Sequence, residues 1–129
     1  MMEDIADREG AWEPFIRKVS ATMIEEAEGG RFYGCPFSVL GMEIAFIEPD
    51  LAAAFLQGLE KIRVLFQTVL RQSGIPEDEA GRASRLLLTS YEGYLLQYRL
   101  SKDIRWLIWM RDDLASAKSR AGLTESGAD

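Results

Sequence analysis

Between Asp78 and Leu114 the apolar positions fill two helix faces rather than one. At helical spacing Ser84, Leu87, Leu88, Tyr91, Tyr94, Leu95 and Tyr98 form one stripe, the arrangement expected of a core-facing side. A second stripe runs Leu86, Thr89, Ser90, Gly93, Leu96 or Gln97, and Leu100, small in the middle with leucines at its ends. Glycine inside a helix costs about 0.5–1 kcal/mol relative to alanine, so Gly93 needs a reason, and close approach of another helix supplies one. The next segment repeats the feature. Ile104, Leu107, Ile108, Leu114 and Ala115 make a core stripe interrupted by Arg111, while Trp106, Trp109 and Met110 project elsewhere. Two successive helices with a second apolar side predict a run that faces its own core and another chain at once.

The rest of the chain reads as helices joined by short breaks. Residues 1–11 are polar and acidic and are expected to be a flexible lead-in. A helix is predicted from Trp12–Pro14 to about Ala27, with Trp12, Phe15 or Ile16, Val19, Met23 and Ala27 on its stripe; Gly29 and Gly30 end it. Phe37 to Ile47 is strongly apolar. Such a run also fits a strand, but its helical neighbours and the lack of hairpin signals favour a short, mostly buried helix. Pro49 and Asp50 open a long helix to Ser73, closed by Gly74. Pro76 with Glu77, Asp78 and Glu79 starts the next, which runs to about Leu100, because carboxylates in a first turn meet the positive end of the helix dipole. Ser101 or Asp103 caps a last helix fading near Lys118, and residues 119–129 have the composition of a disordered tail. The expected fold is all-α, a bundle of about five helices.

Composition narrows the function. At 129 residues the chain is long enough for one core and too short for two domains. With 47% hydrophobic and 28% charged residues it falls among soluble globular proteins, and the absence of a membrane-length run or signal-peptide core points to the cytoplasm. The net charge of −6 with scattered Lys and Arg argues against nucleic-acid binding, which needs a basic patch to neutralise phosphates. Histidine is absent, which removes Ser-His, Cys-His and His-zinc chemistry in their usual forms. No metal or cofactor site is expected, and the chain is not expected to be an enzyme.

The order of elements and three local motifs resemble the C-terminal ligand-binding and dimerisation domain of tetracycline-repressor-type (TetR/AcrR) transcriptional regulators. These motifs are Gly34-Cys35 before an apolar helix with Leu40, Met42, Glu43 and Ile44; Pro49-Asp50-Leu51; and Tyr91-Glu92-Gly93-Tyr94 followed by Arg99 and Asp103. The resemblance implies a domain over residues 12–118 in which the helices matching Phe37 to Ser73 and the helix before them enclose a cavity for a small, largely apolar effector. It also implies that the last two helices form a four-helix bundle with a second subunit, giving a homodimer. The family's helix-turn-helix head is not expected within residues 1–11, which are too few to hold one. One further reading is therefore a stand-alone antagonist that forms mixed dimers with a full-length TetR-type partner.

Several side chains carry alternatives. Phe15, Phe37, Met42, Phe46, Phe55, Tyr91, Tyr94 and Tyr98 are the candidate ligand-lining residues, with tyrosine hydroxyls to orient the ligand; an aromatic stripe at helical spacing is equally plain core. Leu86, Ser90, Gly93, Leu100, Trp106 and Trp109 are the candidate interface, the tryptophans because they sit one turn apart off the core stripe. They would otherwise cover the end of the bundle. Glu43 is either a pocket carboxylate or a solvated one, and an acid/base pair of Glu43 with Glu92 lacks a nucleophile or an oxyanion site. Arg63 and Arg99 are anchors for an acidic ligand or simply solvated. Cys35 is a thiol sensor or a small buried residue.

Overall fold

A computed structural model describes residues 1–35, 37 and 43–117. Among these residues there are five helices and no strand: α1 Met2–Glu9, α2 Trp12–Glu28, α3 Pro49–Gln72, α4 Glu77–Ser101 and α5 Arg105–Ala115. Helix α2 lies along α5, α3 along α4, and α4 against α5, while α1 packs on α2 and α3.

The long helices begin and end where local chemistry requires. Pro49 stands in the first turn of α3, where its missing N–H is no loss. At the other end Gly74 adopts φ 93°, the N–H of Gly74 donates to Arg71 O at 2.9 Å and that of Ile75 to Leu70 O at 3.1 Å. This paired closure needs a left-handed residue, which glycine provides without strain. Helix α4 opens on Glu77, Asp78 and Glu79 and ends at Lys102, which holds the left-handed position at φ 58°. The N–H of Arg105, first in α5, is accepted by Asp103 Oδ1 at 2.9 Å.

The core is aromatic at its centre. Trp12, Phe15 and Phe66 are fully buried and Tyr91 nearly so. Their rings meet at centroid distances of 5.1 Å for Trp12–Phe66, 5.8 Å for Trp12–Phe15, 6.0 Å for Phe15–Phe66 and 5.6 Å for Phe66–Tyr91, mostly edge to face. That geometry places the positive edge of one ring on the negative face of the next. Val19, Val69, Leu70, Leu95, Leu107, Met110 and Leu114 complete it.

Three expectations change. Residues 2–9, read as a flexible lead-in, form α1 with Ile5 and Ala6 buried, and Gly10 closes it at φ 67°. Met2, Ile5 and Ala6 lie close enough in helical spacing to give a narrow apolar edge, which suffices once α2 and α3 are there to receive it. Met110 belongs to the core, at 0% exposure, and Ile108 only to its margin. Leu107, Met110 and Leu114 are spaced i, i+3, i+7, so the buried stripe of α5 passes through Met110. Of the predicted Phe37–Ile47 helix, residues 38–42 lie outside the described residues; Phe37, Glu43 and Ile44 are helical, but residues 45–47 form a turn. The predicted tail, 119–129, lies wholly outside them.

Candidate functional site

Three surfaces present themselves, and the first is the outer face of α4. Leu86, Thr89, Ser90, Gly93, Leu96, Gln97 and Leu100 are all exposed, Leu86 at 63% and Leu100 at 73%. A Cβ added at Gly93 would meet nothing within 4 Å, so no neighbour within the described chain accounts for a glycine there. On α5 the two tryptophans part company. Trp106 is half-buried between the helices, its ring 6.2 Å from that of Tyr94, whose hydroxyl donates to Asp113 on α5. Trp109 is 43% exposed, packs edge-on to Trp106 at 5.1 Å, and carries the Arg105 guanidinium 5.8 Å from its ring centre. Five of the six predicted interface residues thus lie exposed on the surface, and Trp106 supports the fifth from below.

The aromatic residues predicted to line a cavity do not converge. Phe15 and Tyr91 are part of the packed ring cluster. Burial pushes the Tyr91 phenol well above its usual pKa, with Cys35 and Glu92 adding to the effect. Tyr94 faces α5. Phe37 and Phe55 are half-buried together with ring centres 6.4 Å apart, and the Phe37 ring covers Gly58 so closely that a Cβ there would lie 2.5 Å from Phe37 Cε1. Phe46 is 99% exposed, because it falls in the turn after Ile44, where the helical pattern that would point it inward has ended. Met42 lies outside the described residues.

Tyr98 is the exception, for it borders a groove of about 550 Å³ between the C-terminal ends of α2 and α4, lined by Ala27, Gly30, Phe32, Tyr33, Tyr98, Arg99, Leu100 and Lys102. The Phe32 and Tyr98 rings stack 5.6 Å apart, and the Tyr98 hydroxyl donates to Phe32 O at 3.0 Å. Arg99 donates to Tyr33 O at 2.7 Å and so holds the connection against α4. Phe32 and Tyr33 are not legible from periodicity, because the segment after Gly30 carries none and two adjacent aromatics between glycines are the only local signal; Lys102 lies just past the end of the α4 stripe. Arg63, considered as a ligand anchor, instead bridges Glu60, Gln67 and Ser84 Oγ, the last at 2.9 Å, and ties α3 to α4.

Residues 11–112 match the family described as the C-terminal domain of LmrA/YxaF-like transcriptional regulators, of the TetR type. The chain belongs to this family. The match takes in α2, α3, α4 and most of α5 of this TetR-type domain, including the exposed α4 stripe and the groove. Comparison with curated proteins and with solved structures gave no match. Among the described residues of the domain, no helix is long and apolar enough to cross a membrane, and no group of three or more Cys, Asp or Glu is placed to hold a metal ion.

Proposed function

We propose that this TetR-type domain senses a small, largely apolar effector and pairs with a second copy of itself through α4 and α5, working by binding rather than by catalysis. The observation that carries the pairing is the continuous exposed stripe from Leu86 to Leu100, with an open glycine at its centre and Trp109 beside it. Four large apolar side chains on that outer surface, at 41–73% exposure, are more than a lone soluble subunit gains from leaving in water. A small residue at the middle of the stripe lets two helices approach closely, and α4 and α5 from two subunits would make a four-helix bundle.

Effector binding is assigned to the region between α2, Phe37 and the first half of α3. Supporting this, the buried residues of α3 are Phe66, Val69 and Leu70, all in its second half, while Leu51 and Leu56 are half or more exposed. The first two turns of the helix thus bury no residue, and the packing against the core begins further along, with Leu59. An effector that binds one arrangement of these elements more tightly than another shifts the population toward it. Helix α2 would carry that shift, because it packs on α5 as well as on α3. The same stripe could also join this chain to a full-length TetR-type regulator. Native mass spectrometry of the purified chain tests the proposal: a mass of two subunits is expected, and a single-subunit mass at micromolar concentration would refute the pairing.

A further inference from the structure

We infer that the groove at the C-terminal ends of α2 and α4 is a binding site for a small aromatic carboxylate. It shares Leu100 with the proposed pairing stripe, but the rings and cations that it uses belong to one subunit. Its volume of about 550 Å³ falls within the range of small-molecule sites. Its lining divides into two kinds of surface. The rings of Phe32, Tyr33 and Tyr98 offer flat apolar faces, and both phenol hydroxyls are already engaged with backbone carbonyls, Tyr98 with Phe32 O and Tyr33 with Gly30 O. What they present to a ligand is therefore ring, suited to stacking on another ring.

The second kind is cationic. Arg99 and Lys102 line the groove, and among the described residues no Asp or Glu does, in a chain whose net charge is −6. Arg99 gives one Nη1 bond to Tyr33 O, which fixes the guanidinium while its fork keeps further N–H donors for a planar carboxylate. Lys102 is the more telling of the two. It occupies the left-handed position that ends α4, at φ 58°, where glycine would sit without strain. A cationic side chain is thus held at the rim of the groove against the backbone preference of that site. The C-terminal ends of two helices also meet here, and their partial negative charge by itself repels an anion. Carboxylate binding accordingly requires both cations, and removal of either should be felt.

The test is calorimetric titration of the full chain with naphthalene-2-carboxylate and with the neutral naphthalene-2-carboxamide, at low salt and again at high salt. The carboxylate should bind at least about tenfold more tightly than the amide, and the difference should shrink in high salt. Arg99→Gln should remove most of that preference. Because Arg99 also holds the Tyr33 carbonyl, Lys102→Gly provides the separate reading: it should maintain or raise the melting temperature while weakening carboxylate binding about tenfold or more. Equal affinity for the two probes, no binding of the carboxylate, or carboxylate binding unchanged in Lys102→Gly would overturn the assignment. A chain that stays a single subunit yet discriminates the two probes would end the pairing proposal and leave this one standing.

Discussion

The indole N–H of Trp12 donates to the carbonyl oxygen of Leu114 at 2.7 Å, joining the first residue of α2 to the last turn of α5. The backbone N–H of the same residue donates to Ser73 Oγ, also at 2.7 Å, just past the end of α3. One fully buried residue therefore fastens three helix ends together. Trp12→Phe keeps one aromatic ring but removes the pyrrole ring with its N–H, which leaves the buried Leu114 carbonyl without its donor and a small void beside it, a loss of at least about 1–3 kcal/mol. Urea denaturation should show a lower midpoint with an unchanged slope. An unchanged midpoint would mean that the carbonyl finds water at no cost, and that the bond is incidental.

Gly58 lies mid-helix under the Phe37 ring. Alanine at an unremarkable glycine in a helix stabilises by about 1 kcal/mol. Here the new methyl would press on Phe37 Cε1, so Gly58→Ala should give no gain, or a loss of about 1–3 kcal/mol as the ring is displaced. In a Phe37→Ala background the same substitution should recover its ordinary stabilising effect. A double-mutant cycle from thermal melts measures the coupling directly, and simple additivity would remove Phe37 from α3.

Much of this architecture is legible in the residue pattern, for reasons tied to particular positions. Pro49, the Glu77–Glu79 carboxylates and the Gly29-Gly30 and Gly74 closures mark the ends of α2, α3 and α4 because capping chemistry is local. The faces of α4 are equally legible, since Leu87, Tyr91 and Tyr98 turn inward and Leu86, Ser90 and Gly93 outward as helical spacing dictates. Helix α1 was not legible: its apolar edge is too narrow to bury itself without α2 and α3 beside it. Nor was the state of the aromatic residues. Periodicity tells that Phe15 and Tyr91 point inward, but whether the space they meet is filled by Phe66 or left open for a ligand depends on helices distant in sequence. The groove was hidden for a related reason, since Phe32, Tyr98 and Lys102 come together only when the ends of α2 and α4 meet.

Tyr91 supplies a pH dependence with a definite sign. Its buried phenol resists ionisation, so its folded pKa stands well above the ordinary value of 10.0, which the unfolded chain retains. The unfolded state thus loses a proton first, and the contribution of Tyr91 is fully present below pH 10 and declines as pH rises beyond it. The decline approaches about 1.4 kcal/mol per pH unit from this residue. Between pH 9 and 11, Tyr91→Phe should lose stability less steeply than the parent chain in urea denaturation. Parallel curves would place the phenol in contact with solvent.

The central claim, that the open stripe on α4 is where a second copy of the chain sits, is tested most directly by the mass of Gly93→Arg in native mass spectrometry. A Cβ at this exposed position meets nothing within 4 Å, so a long side chain can extend into solvent, folding should be preserved and circular dichroism should show unchanged helix content. At a close-packed helix crossing between subunits the same side chain leaves no room for the partner. The expected result is two subunits for the parent chain and one for Gly93→Arg at equal concentration; a two-subunit mass for the variant would contradict the placement of the seam.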